Sequence, residues 1–221
     1  RSVGNNYTVF ATETFIDEVS QEIGVDPMAF RLNYLNGVGI NAGSNTPASY
    51  GGGKRLANVL KIASGLANYG LENLGEYEGL GIAITGAENR WAPCFLALVA
   101  KVKVDKNSAA IDVQKLICVL DVGIAINPDG IKAQVEGSLL WGLSNALLEK
   151  MTLEDGMVSE RNFDSYKWQN ITKIPELEIH IVENGIFPSG GSCCNICLVV
   201  NIAYRSIAID DGIDCERNTV G

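Results

Sequence analysis

Over residues 8–23 the apolar positions Val9, Phe10, Phe15, Ile16, Val19 and Ile23 recur with a helical period, which predicts an amphipathic helix. Gly24 stops it. Asp26 then offers a capping acceptor and Pro27 suits a first helical position, so a second helix follows with Phe30, Leu32 and Leu35 on its apolar side. Residues 36–53 are rich in Gly, Asn, Ser and Ala and read as a long loop or linker. A third helix is expected over 54–69, with Leu56, Val59, Leu60, Ala63 and Leu66 on one face. From Gly79 the period shortens. Residues 80–85, 95–104 and 111–120 are β-branched, apolar and partly alternating, as strands are, and Asp105-Lys106-Asn107-Ser108 makes a hairpin turn between the last two. A helix returns over 131–148, dotted with Gly137, Ser138, Gly142 and Ser144, which permit close backbone approach. Glu154-Asp155-Gly156 reads as a hairpin-like turn and 177–182 as a further strand. Helices set apart from mostly antiparallel strands make an α+β fold.

Composition narrows the function classes. The 221 residues are 47% hydrophobic and 19% charged, which excludes a disordered or collagen-like chain. A formal net charge of −9 argues against nonspecific binding to nucleic acid or an anionic membrane. No apolar run approaches the roughly 20 residues that span a bilayer. Arg1-Ser2-Val3-Gly4 has neither an initiator Met nor a signal-peptide core, so the chain reads as a piece of something longer. Its compartment stays open.

Familiar chemistries are scarce. The one histidine, His180, lies in an alternating strand and reads as a solvent-side residue, which excludes poly-His metal centres and argues against a Ser-His-Asp triad. Gly51-Gly52-Gly53-Lys54-Arg55 lacks the spacing and the Ser/Thr of a phosphate loop and reads as flexible loop. Of six cysteines, Cys94 and Cys118 sit in apolar strands as buried thiols, while Cys193, Cys194, Cys197 and Cys215 crowd the end. One C-x-x-C without a second unit is a weak metal signal, and no metal ligand is assigned.

The informative stretch is Asp121-Val122-Gly123-Ile124-Ala125-Ile126-Asn127-Pro128, then Gln134-Val135-Glu136-Gly137 and Trp141-Gly142-Leu143-Ser144. It describes a strand end, a turn, and a helix whose early small and amide residues face something closely approached. Gln134 can donate and accept, which suits the amide-like edge of a pterin. A helix packed tightly on a sheet, with Gln134 on its polar face, fits the same residues.

The pattern D-V-G-x-x-x-N-P-x-x-x-x-x-Q-V-E-G-x-x-x-x-G-L-S resembles the large subunit of the xanthine dehydrogenase/aldehyde oxidase family of molybdenum hydroxylases. The opening Arg1-Ser2-Val3-Gly4, Glu13-Thr14-Phe15-Ile16-Asp17-Glu18 and Asp26-Pro27-Met28-Ala29-Phe30-Arg31 are similar to the branch typified by isoquinoline 1-oxidoreductase beta subunits. Leu153-Glu154-Asp155-Gly156, Asn162-Phe163-Asp164-Ser165-Tyr166 and the segment from Pro175 to Val182 continue the likeness, which runs to about residue 189.

The resemblance implies a carboxy-terminal fragment of a molybdopterin-binding subunit. Residues 1–78 would be its helical part, 79–189 its α+β part, and 190–221 a divergent Cys-rich tail. It implies molybdenum on a molybdopterin, in the cytosine dinucleotide form, a glutamate base, an aldehyde or N-heteroaromatic substrate, and electrons leaving through a [2Fe-2S] partner subunit. Arg1 then matches a cofactor contact near the metal, and Gln134 with Gly137 the pterin contact. Val3 matches a substrate-side position that is aromatic in purine-oxidising members.

One departure matters. The family's base lies in a G-V-G-E-P-like loop after the last strand, but here Phe187-Pro188-Ser189-Gly190 leads into Gly191-Ser192-Cys193-Cys194-Asn195, without glutamate. Either a frame or sequence error near Gly190 replaces the true ending, or the ending is genuine and the base is lost. No catalytic residue is nominated. A non-catalytic remnant or assembly module of the same fold is the alternative.

Overall fold

A computed structural model of the chain describes residues 5–35, 52–71, 73–89 and 92–185. Helix α1 covers Asn5–Glu22 and helix α2 Pro27–Leu35. Gly24 takes a left-handed φ of 67°, and the Val25 amide donates to the Ser20 carbonyl at 2.8 Å, closing α1. Asp26 Oδ1 accepts the Ala29 amide at 2.8 Å and starts α2. Helix α3 covers Gly52–Leu66. Gly52 to Arg55 therefore form the first turn of a helix, which corrects the flexible-loop reading of that stretch; Gly51 lies outside the described residues. Arg55 is drawn inward by a buried partner that sequence spacing does not reveal. The helix has one face on the sheet, and packing outweighs the poor helix propensity of two glycines.

Strands β1 (Glu78–Asn89), β2 (Ala92–Val104) and β3 (Ile111–Asp121) form an antiparallel meander. At the β2–β3 turn, Asp105 Oδ1 accepts the Asn107 and Ser108 amides. Helix α4 (Pro128–Leu147) follows, then a short hairpin of β4 (Leu153–Glu154) and β5 (Met157–Val158), and finally β6 (Glu176–Ile181). Asp155 and Gly156 both have positive φ, as a tight primed turn requires. The four-stranded sheet has the order β1-β2-β3-β6, and β6 pairs with β3 in parallel. Parallel neighbours need a long crossover, and α4 lies within it. The sheet is thus mixed within the α+β class.

Both faces of the sheet are covered. Leu96, Leu98, Ala100, Val102, Leu116, Cys118 and Leu120 point to α4, where Val135, Leu139 and Leu143 meet them. The alternate residues Phe95, Ala97, Val99, Ile117 and Val119 point to α3, where Val59, Leu60 and Ala63 meet them. This is why the strands read as nearly continuous apolar runs. Cys94 and Cys118 are buried free thiols, and burial pushes the Cys94 thiol up to about 12 and Cys118 in the same direction. His180 is exposed.

Two buried ion clusters fasten helices to this core. Arg31 of α2 is fully buried and reaches Glu13 (3.0 Å) and Asp17 (2.7 Å) of α1. Glu13 also accepts the Ile84 amide at 2.8 Å, so α1 covers the free edge of β1. Burial pushes the Glu13 carboxyl up, against the pull of Arg31. The second cluster joins α3 to the end of β3. Arg55 Nε donates to Asp121 Oδ2 at 2.9 Å, and its guanidinium lies 4.8 Å from the Phe95 ring centre. Burial raises the Asp121 carboxyl, but hydrogen bonds from Arg55, Gly123 and Asn184 outweigh it and hold the group below the ordinary aspartate range.

Three outcomes are expected. Arg31→Leu strands two buried carboxylates and should cost about 3–5 kcal/mol, read as a lowered urea midpoint. Because Asp121 binds its proton less tightly folded than unfolded, its contribution is complete above the ordinary aspartate range and is lost as pH falls below that range through the lower folded-state value. Acid titration of the unfolding midpoint should therefore show a steeper low-pH loss in the native protein than in Asp121→Asn. Mass-mapped alkylation should modify Cys94 and Cys118 only after denaturant is added.

Candidate functional site

Helix α4 divides into two faces. Val135, Ser138, Leu139, Gly142, Leu143 and Ser144 are buried. Ser138 turns its hydroxyl back to the Gln134 carbonyl at 2.8 Å, so its small side chain sits against the sheet with its polar atom satisfied. Gln134, Gly137 and Trp141, at i, i+3 and i+7, form a second stripe. Gln134 is exposed, and its side-chain amide makes no hydrogen bond to a described residue. A Cβ built on Gly137 meets nothing within 4 Å. The small residues thus divide: Ser138 and Gly142 are buried, whereas Gly137 leaves open space beside the exposed Gln134 amide.

The turn before α4 sets where that stripe lies. Asp121 Oδ1 accepts the Gly123 amide at 2.9 Å, and Gly123 has a left-handed φ of 71°. Asn127 caps α4 by accepting the Gly130 amide at 3.0 Å, with Pro128 at the first position. From the other side Asn184, just past β6, donates to Asp121 Oδ2 at 3.2 Å.

Gly137 and Trp141 also line a cavity of about 520 Å³ whose other walls include Phe163, Trp168, Ile171 and Ile174. Phe163 and Trp168 meet edge to face at 5.1 Å. The loop that carries them is pinned to α4, where the Gln169 amide donates to Ser144 Oγ at 2.9 Å, and to the segment just after it, where Tyr166 donates to Glu149 at 2.8 Å. Sequence reasoning missed this aromatic wall. The spacing from Gln134 to Trp141 marks one side of it, but the loop's return over α4 is a tertiary event.

Of the residues singled out from sequence, Gln134 and Gly137 share this face. Arg1, Val3 and the stretch after Gly190 with its cysteines lie outside the described residues. Among the described residues no group of three His, Cys, Asp or Glu side chains is arranged to hold a metal, and no helix is long and apolar enough to cross a membrane. An exposed amide beside a glycine with open space around it can bond the polar edge of a planar ligand by donating and accepting at once.

Residues 40–175 match the family of the molybdopterin cofactor-binding domain. The chain is 37% identical over 190 residues to the membrane-bound aldehyde dehydrogenase [pyrroloquinoline-quinone] of Gluconacetobacter polyoxogenes, covering 86% of this chain and 24% of that protein. It is 27% identical over 183 residues to isoquinoline 1-oxidoreductase subunit beta of Brevundimonas diminuta, covering 83% of this chain and 21% of that one. The chain thus spans about a quarter or less of the length of these relatives. The crystal structure of the aldehyde oxidoreductase from Desulfovibrio desulfuricans ATCC 27774 superposes with a TM-score of 0.67, covering 94% of this chain and 38% of that one. At 14% identity, that likeness speaks for the fold. The chain belongs to the molybdopterin cofactor-binding domain family, and with it to the xanthine dehydrogenase/aldehyde oxidase family of molybdenum hydroxylases.

Proposed function

We propose that this chain is part of the molybdenum-cofactor subunit of an oxidoreductase that hydroxylates an aldehyde or N-heteroaromatic carbon with water-derived oxygen and passes electrons to a [2Fe-2S] partner subunit. The observation that carries this reading is the exposed Gln134 side chain beside Gly137, which has open space around it, on the side of α4 away from Val135, Leu139 and Leu143 and inside the matched stretch. Gln134 would bond the pterin edge through its amide, accepting and donating at once. Gly137 would let the ring system approach the helix backbone. Arg1 would contact the cofactor near the metal and Val3 would border the substrate, where an aliphatic side chain disfavours a purine. The cofactor's cytosine dinucleotide form belongs to the same proposal.

When bound, the molybdenum centre supplies the oxygen-transfer and two-electron chemistry that no side chain has. This chain's own share is binding and orientation. The names of the relatives include both aldehyde and isoquinoline oxidation, which supports the two substrate classes. The name of the Gluconacetobacter polyoxogenes relative carries a quinone, which metal analysis distinguishes from a pterin-bound metal.

A second reading has its own observation: the sequence after Gly190 lacks the glutamate expected as base. On that reading the chain keeps the fold for assembly and does not turn over.

The test is molybdenum content and turnover of the full-length protein purified with its partner subunits. Molybdenum near one per chain with aldehyde or N-heterocycle oxidation supports the enzyme, and molybdenum without turnover supports the assembly reading. Quinone without molybdenum would sink the molybdenum-cofactor reading. Gly137→Leu adds a side chain where this chain has room, and it relieves a helical glycine worth about 0.5–1 kcal/mol. It should keep or raise the unfolding midpoint while molybdenum content falls several-fold; Gln134→Ala should lower molybdenum content with the midpoint unchanged. Unchanged metal content in both would remove α4 from the cofactor site.

A further inference from the structure

The turn that launches α4 has little to hold it. Ile124 and Ile126 are 45% and 79% exposed, and residues 127–130 are exposed as well. Asp121, Val122 and Gly123 are buried at the corner, and from there to residue 131 only Ala125 and Ile131 are half-buried. The first fully buried side chain of α4 is Val135, two turns into the helix. Against this sparse packing stands a single carboxylate with donors from three separate segments. Asp121 accepts Arg55 from α3, the Gly123 amide from the turn, and Asn184 from just past β6.

We propose that Asp121 is a positioning residue for the cofactor-contact helix: its buried carboxylate fixes the turn through Gly123 and ties it to residues 183–185 through Asn184, so that the start of α4 and the segment after β6 move as one unit. This rests on the proposed cofactor role of Gln134 and Gly137. A charged acceptor strengthens each of these hydrogen bonds, and Arg55 neutralises it so that it can stay buried. Asn184 is the informative handle. Removing its amide leaves the Arg55–Asp121 pair, and with it the fold, in place.

The experiment compares Asn184→Ala with native protein, both full length and with their partner subunits, by hydrogen exchange and by molybdenum retained after dialysis. Lys115→Ala is the control. It removes two partly exposed ion pairs between β3 and β6, since Lys115 reaches Glu176 and Glu178 at 2.9 and 2.8 Å. Asn184→Ala should speed exchange roughly tenfold, about the worth of one charge-assisted hydrogen bond, at Gly123–Ile126 and in the first turn of α4. Retained molybdenum should fall several-fold, and the control should do neither. Faster exchange confined to 183–185, or spread evenly through the sheet, would overturn the proposal, because a merely structural bond predicts one or the other. If native protein holds no molybdenum yet the exchange effect appears at both segments, the cofactor reading fails and the mechanical coupling stands.

Discussion

The sheet is buried on both faces, and most of the architecture follows from that constraint. A strand with apolar side chains above and below needs a helix on each side, and here α3 and α4 take the two faces. Once α4 lies within the crossover between β3 and β6, its buried face is fixed by Val135, Leu139 and Leu143. The stripe bearing Gln134 and Gly137 is then displaced from the core. The amide is available to a ligand because core packing spends the other side of the same helix.

Charge is handled at the seams between layers. Each buried arginine in these seams crosses between elements: Arg31 from α2 to α1, and Arg55 from α3 to β3. Against well-packed apolar side chains such pairs add little net stability, since desolvation offsets much of the attraction. Their value is directional. Arg55 and Asp121 can meet in few geometries, which fixes the register of α3 over the end of β3 in a way that Val59 and Leu60, packing without direction, do not.

Much of this was legible in the sequence. The strands announced themselves by apolar density, and Asp26-Pro27, Asn127-Pro128 and Asp155-Gly156 marked helix starts and a turn through local chemistry that needs no tertiary partner. What escaped was non-local. Gly52 and Gly53 look like a loop until Arg55 has a buried carboxylate 66 residues away to hold it. The parallel pairing of β6 depends on where α4 returns the chain, and the Trp141–Phe163–Trp168 wall forms only when a loop folds back over the helix. Of the candidate site, Gln134 and Gly137 were readable because a motif with fixed spacing carries them. Their solvent-facing stripe was not, since the helix contains small residues on both faces and only packing tells Ser138 from Gly137.

That distinction bears on function. A glycine in mid-helix costs stability unless something needs its missing side chain. Gly142 is buried within α4. Gly137 meets nothing within 4 Å among the described residues, so no contact within this part of the chain accounts for it. Its neighbour Gln134 carries an amide that the core does not use, and Trp141 extends the same stripe with a half-exposed indole. Gln134 and Gly137 thus make one surface on α4, an exposed amide beside open backbone, and Trp141 continues it into the aromatic-walled cavity.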